Sequence, residues 1–287
     1  MSQASRFHTL TPTPSGFPVR VEHLVDADAH EGPVYVAGED ALYFTSVPRP
    51  GPRVDIKRLD LGSLTVSVVR PDARAANGMA FGPDGRLIVC EQIGGAIAAV
   101  DPLTGERELL VDGFNSPNDV AVKSDGTIWF TDPSYGWLQG FRPPPSRRDA
   151  VHRFDPRTGA LTTVADSFDK PNGLCFSPGE RTLYVTDNGE PHHLKAFNVV
   201  GGERLERERV IHVSSPGHPD GLKADAAGRL YASFSGGVEM LSPDGAPIGA
   251  IDVPGAVNFC FGGPKRDVLF ITADTAIYAA HLDSKGP

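Results

Sequence analysis

Six residues with side-chain oxygens recur along the chain in one local setting: Glu31, Asn77, Asn118, Asn172, Asp220 and Asn258. They stand 38 to 54 residues apart, and each precedes a β-rich run by 10 or 11 residues. Four of them, Glu31, Asn118, Asn172 and Asp220, offer two carboxylates and two amide carbonyls. Gathered on one rim, that set suits Ca²⁺ or another hard divalent cation, with water or substrate completing the shell. No His/Cys spacing suggests a structural zinc site. Taken singly, Asn or Asp before Gly is also an ordinary turn residue. The chemistry therefore depends on an architecture that brings the four together.

The spacing supplies that architecture. The unit reads HEGPVYVAGEDALYFTS from His30, ANGMAFGPDGRLIVCE from Ala76 and PNDVAVKSDGTIWFTD from Pro117. It returns as PNGLCFSPGERTLYVTD from Pro171, PDGLKADAAGRLYASFS from Pro219 and VNFCFGGPKRDVLFITAD from Val257. A constant internal offset with variable outer spacing marks one repeated supersecondary unit with loops of different length. The runs ALYFTS, TIWFTD, TLYVTD and VLFITA carry the β-branched and aromatic residues of strands, bounded by turn signals such as PDG and SDG. They are read here as the inner strands of the units. AIAAVD with ERELLVD, VHRFDP with ALTTVAD, and LKAFNV with RVIHV are read as outer hairpins. The predicted fold is all-β: a six-bladed propeller of four-stranded antiparallel blades around a central channel. The run FPVRVEHLVD (17–26) is expected to pair with the last blade and close the ring. Residues 1–15 are expected to be a flexible arm and 16–287 one propeller domain. The segment 136–150, rich in Pro and Arg, is the expected lid. Its Arg142, Arg147 and Arg148 are candidates to serve the rim.

Composition narrows the partners. The chain has 287 residues, a formal net charge of −9, and 58 glycines and prolines together. No long basic run is present, which argues against nucleic acid and anionic membranes. No apolar stretch reaches the ~18–20 residues of a membrane span. The N-terminus MSQASRFHTLTPTPSG shows no hydrophobic signal core, so a cytoplasmic location is the expectation. Cys90, Cys175 and Cys260 each sit in an apolar run and are expected as buried thiols rather than a disulfide framework.

Several stretches carry a family resemblance: HEGPVY around Glu31, SPNDVAVKSDGTIWFTDPSYG (116–136), KPNGLCFSP (170–178), HPDGLKAD (218–225) and NFCFGG (258–263). From about residue 20 onward the chain resembles the senescence-marker-protein/gluconolactonase family (SMP-30/gluconolactonase/luciferin-regenerating-enzyme-like). The second stretch looks like its bacterial gluconolactonase branch. The resemblance implies a six-bladed propeller with a divalent metal at the channel mouth. Its ligands would be the Glu of the first motif, the Asn of the third and fourth, and the Asp of the fifth. Those positions are Glu31, Asn118, Asn172 and Asp220, the four already singled out. There are departures at the rim. Where the branch carries Cys-Glu-His-Gly with two arginines, this chain has Cys90-Glu91-Gln92-Ile93-Gly94-Gly95. Phe44-Thr45-Ser46-Val47-Pro48 and Gly113-Phe114 also differ from the usual pattern.

The implied activity is hydrolysis of a sugar lactone such as gluconolactone to the free acid, with one divalent ion, Ca²⁺ first and Mg²⁺, Mn²⁺ or Zn²⁺ as alternatives. Asp220 is the expected catalytic residue, as base or nucleophile. Asn77, Asn118, Asp119 and Tyr135 are the expected substrate contacts, with Asp119 also able to orient Asn118. His218, two residues before Asp220, is a candidate proton shuttle, and His192 and His193 are expected in a turn. No Gly-x-Ser-x-Gly elbow argues for a serine hydrolase. The expected partner is a small-molecule lactone, the chain being a monomer or weak homo-oligomer. The competing readings are a phosphotriesterase-like metal hydrolase and a non-enzymatic metal-binding scaffold.

Overall fold

Six antiparallel sheets make up the described chain; five are built from consecutive strands, and the sixth joins strands from the two ends of the chain. The structure is a computed structural model and describes residues 8–9 and 20–287, apart from 191, 216 and 235. In chain order the innermost strands are Val34–Val36, Ala76–Phe81, Val120–Val122, Pro171–Phe176, Leu222–Ala224 and Asn258–Gly262. The fold is the six-bladed propeller predicted from the repeat. The expected outer hairpins are present, among them Ala96–Val100 with Arg107–Asp112 and Ala150–Asp155 with Ala160–Ala165. The helix Tyr135–Leu138 has four residues. No helix of the described residues is long and apolar enough to cross a membrane.

Ring closure follows the expected route. Arg20–Ala29 pairs antiparallel with Asp274–His281, with Arg20 opposite His281 and Ala29 opposite Asp274. The first and last parts of the chain thus share the sixth blade, and Asp274–His281 is paired on both of its sides. Apart from His8–Thr9, which pairs with Arg20 and Val21, the arm expected over 1–15 lies outside the described residues.

One strand assignment changes. Ala41–Thr45, Leu87–Glu91, Ile128–Asp132, Thr182–Asp187, Leu230–Phe234 and Val268–Thr272 are the second strands of their blades, not the first. Their composition explains both the reading and the error. Each hydrophobic cluster spans two adjacent blades, and a second strand feeds both of its neighbours. Leu42 and Phe44 pack toward the sixth blade, whereas Ala41 and Tyr43 pack toward the second. A strand covered on both faces reads as an unbroken apolar run. The true inner strands are richer in glycine, which the second strands lack, because six of them converge on the axis. A Cβ on Gly78 would lie 2.6 Å from the Asn118 carbonyl oxygen, and one on Gly173 2.3 Å from that of Asp220. Only glycine lets one blade's anchor approach the next this closely.

Candidate active site

Every anchor sits at the start of its inner strand or two to three residues before it, so all six meet at one end of the axis. Two sets of bonds place them. The first joins neighbouring blades: Gly78 N donates to the Asn118 carbonyl at 2.7 Å and Gly173 N to that of Asp220 at 3.2 Å. Hydroxyls toward the end of five of the six second strands reinforce this seam; the second blade has Cys90 at that position. Thr131 Oγ1 donates to the Asn172 carbonyl at 2.8 Å, and Thr272 Oγ1 to that of His30 at 2.7 Å. The second set fixes the loops that lead into the anchors. Asp132 accepts from the backbone N–H groups of Asn115 and Ser116, just before Asn118. Asp187 accepts from those of Asp169 and Lys170, just before Asn172. The repeated Thr-Asp ending of the runs thus serves two different neighbours.

The expected ligand residues are buried at this mouth. Glu31, Asn118 and Asn172 are almost fully covered. Glu31 Oε2 accepts from Asn258 Nδ2 at 2.7 Å and from Gly32 N at 3.2 Å. Asn172 Nδ2 donates to the Tyr135 hydroxyl oxygen at 3.3 Å, which brings the expected substrate contact Tyr135 against the ring. Ser116 holds that tyrosine's turn in place, donating to the Pro133 carbonyl and accepting from Gly136 N. Burial, then the charge of Asp220, raises the Tyr135 phenol far out of the neutral range, so it stays a hydroxyl.

Four buried oxygens have no hydrogen-bond partner among the described residues: Asn77 Oδ1, Asn118 Oδ1, Asp119 Oδ2 and Asp220 Oδ1. Buried acceptors are normally satisfied, and an orphan asks for an occupant. The charges point the same way. Burial first, then the charge of Glu31, pushes the Asp220 carboxyl well above the usual carboxylate range; Asp119 adds to this, while His30 and the Asn172 amide oppose it. Burial also raises Glu31, with His30 opposing and Asp119 adding. Carboxylates that repel one another in a dry site are relieved by a cation. Oxygen-only donors, half of them amides, suit a hard dication. Among the described residues no three His, Cys, Asp or Glu side chains gather as a ligand group without the asparagines.

His30 is a mouth residue that the sequence reading did not select. Its Nδ1 lies 2.7 Å from Asp274 Oδ1, and Asp274 takes a left-handed backbone conformation (φ 54°). Burial opposes charging the imidazole, but Asp274, Glu31 and Asp220 outweigh it and raise its pKa. The signal available was its place immediately before Glu31. Asn258, found as an anchor but given no task, is the donor that orients Glu31. His218 is exposed, and its ring packs edge-on to His192 with centroids 4.3 Å apart. His192 lies in the expected turn, while His193 opens the strand His193–Val200.

The arginines of 136–150 are spent on their own surroundings. Arg142 donates to the carbonyls of Ile93, Phe114 and Asn115 at 2.7 to 2.9 Å. Arg147 lies over the Phe114 ring, and Arg148 stands 3.8 Å from Asp166. They tie the segment to the second and third blades. Trp137, on the short helix that begins at Tyr135, is 46% exposed.

Comparison with known proteins agrees with this fold. The family model described as SMP-30/Gluconolactonase/LRE-like region matches residues 29–275. A gluconolactonase of Zymomonas mobilis subsp. mobilis is 33% identical over 86% of this chain and 77% of its own length. The lactonohydrolase oryL of Aspergillus oryzae is 30% identical over 90% of this chain and 69% of its own. A solved gluconolactonase structure from Xanthomonas campestris superposes with a TM-score of 0.83 at 34% identity, covering 92% of this chain and 90% of that one. By family model and by curated relatives alike, this chain belongs to the SMP-30/gluconolactonase/LRE-like family.

Proposed function

We propose that the chain is a lactonase that opens a sugar lactone to its free acid, with a divalent cation held by Glu31, Asn118, Asn172 and Asp220. The observation that carries the reading is the set of orphaned oxygens, Asn118 Oδ1 and Asp220 Oδ1 above all, buried at one mouth beside Glu31. The similarity to gluconolactonases of Zymomonas and Xanthomonas supports the choice of substrate class. Ca²⁺ is the preferred ion for two carboxylates and two amides.

When bound, the cation supplies polarisation of the lactone carbonyl and a lowered pKa for a nearby water. The side chains do the rest. Water oxygen adds to the carbonyl carbon, the ring C–O bond breaks, and the departing ring oxygen takes up a proton as a hydroxyl. Asp220 receives the proton of the attacking water and is the group from which it returns. The Asn77 and Asn118 amides accept from or orient substrate hydroxyls. Tyr135, kept as a phenol, donates a hydrogen bond across the mouth. Asp119 stays buried, with Oδ1 taking the Val120 N–H at 2.9 Å.

The test is acid release from a panel of γ- and δ-aldonolactones by metal-replete protein, with and without EDTA. The expected result is hydrolysis that EDTA abolishes and Ca²⁺ restores. No hydrolysis across the panel would reject the lactonase, and hydrolysis indifferent to EDTA would reject the cation.

A further inference from the structure

A second cavity lies on the same axis, beyond the ring of anchors. The inner strands run away from the mouth, and residues two or three places past each anchor wall a space of about 340 Å³. Val34, Met79, Val120, Leu174, Lys223 and Phe261 represent the six blades there. The volume falls within the roughly 300–1,000 Å³ of small-molecule sites. Its wall is largely apolar, but it contains two cations with donors to spare. Lys223 is three-quarters buried, and its ion-pair partner among the described residues is Asp119 Oδ2 at 3.7 Å, beyond hydrogen-bond distance. An ammonium carries three donors. Burial raises the Cys175 and Cys260 thiols to about 12 even with the Lys223 charge pulling both down. Lys223 and both cysteines line this cavity together. Arg266 is exposed and has no ion-pair partner among the described residues. The carboxylate on the same wall, Glu180, is already taken by Ser124 and by Lys123 at 3.2 Å.

We propose that this cavity is a binding site, separate from the ring of anchors, for a small organic acid with an apolar body. Its carboxylate meets Lys223 and Arg266, and its body lies along Val34, Met79, Val120 and Phe261. Charge complementarity selects the acid: in a chain of net charge −9, these are cations with unfilled hydrogen-bonding capacity. A neutral apolar molecule would leave the buried ammonium unmet, which is costly. A free phosphate or a polyhydroxylated aldonate would lose hydration against the apolar wall for the same reason. The inference does not depend on the lactonase reading.

Octanoate is the probe, titrated calorimetrically into the full-length, Ca²⁺-replete protein. Expected is saturable binding of one octanoate per chain with Kd below about 1 mM, undisturbed by gluconate. Octanamide, with the same body and no charge, should bind at least about tenfold more weakly, the weight of one charge-assisted hydrogen bond. Arg266→Gln should weaken octanoate by a similar factor while leaving lactone turnover unchanged. Lys223→Met should weaken it further. If Lys223→Met fails to fold, the exposed Arg266→Gln still decides. No saturable binding, equal affinity for octanamide, displacement by gluconate, or wild-type affinity in Arg266→Gln would each overturn the proposal.

Discussion

Thr186 Oγ1, in the fourth blade, donates to the carbonyl oxygen of Asp220, in the fifth, at 2.8 Å. The pattern repeats around the ring: Thr131 serves Asn172, Ser233 serves Val257 and Thr272 serves His30. Each anchor is thus positioned by the blade before it, so the mouth is a property of the closed ring. Thr186→Val keeps the shape and removes the donor. The Asp220 carbonyl would retain Gly173 N at 3.2 Å. A lost buried hydrogen bond costs about 1–3 kcal/mol. The expected outcome is a lower melting temperature together with weaker Ca²⁺ binding by calorimetry. Unchanged Ca²⁺ affinity would mean the seam holds the fold without tuning the site.

Cys90 occupies the corresponding place in the second blade and is fully buried. There the Asn118 carbonyl receives Gly78 N at 2.7 Å, and a thiol stands where the other blades have a hydroxyl. Ser233 shows that serine can make the bond. Cys90→Ser is therefore expected to stabilise the protein by about 1 kcal/mol, one net hydrogen bond. Differential scanning calorimetry should register a rise of about 2–4 °C. A fall of that size would place the Asn118 carbonyl out of reach of the new hydroxyl.

Much of this was legible because the axis imposes strict local rules. Gly78 and Gly173 must be glycine, and the Thr-Asp endings must repeat, so the repeat and its anchors stand out in the chain. What was lost is what depends on distant pairs or on which way a face is covered. His30 and Asp274 are 244 residues apart, and only ring closure brings them together. Two-sided burial made Ile128–Asp132 look like the innermost strand, when sandwiching between blades was the cause. Arg142 looked available for substrate because the three carbonyls that claim it come from two other loops.

Asp125 gives a pH dependence away from the site. Burial would raise its carboxyl, but the Thr127 hydroxyl and N–H and the Lys123 ammonium outweigh it and hold it at about 2, against an ordinary 3.8. A depressed folded-state pKa contributes stability that is present above the unfolded value and lost as pH falls toward the folded one. The carboxylate is about a third exposed, so solvent screening reduces the effect. Asp125→Asn should be less stable than wild type at neutral pH. Urea unfolding should show that gap narrowing as pH is lowered from about 5 to about 2. A gap independent of pH would mean the side chain acts by shape alone.

Asp220 bears the weight of the enzymatic reading. Asp220→Asn retains an oxygen and nearly the same shape, while removing the charge and the capacity to take a proton. Its Oδ1 lies buried without a hydrogen-bond partner among the described residues, so the substitution disturbs no hydrogen bond described at that atom. Burial and the charge of Glu31 work against ionised Asp220 in the protein alone. The asparagine should therefore fold at least as stably when metal-free, by thermal melting. Ca²⁺ affinity should fall, so turnover has to be measured at saturating Ca²⁺. Loss of a general base typically costs 10²–10⁴-fold, and kcat for lactone opening should drop by about that much with KM little changed. Turnover within about threefold of wild type would make Asp220 a ligand only. The proton would then have to pass through His30, the imidazole held by Asp274 beside the same two carboxylates.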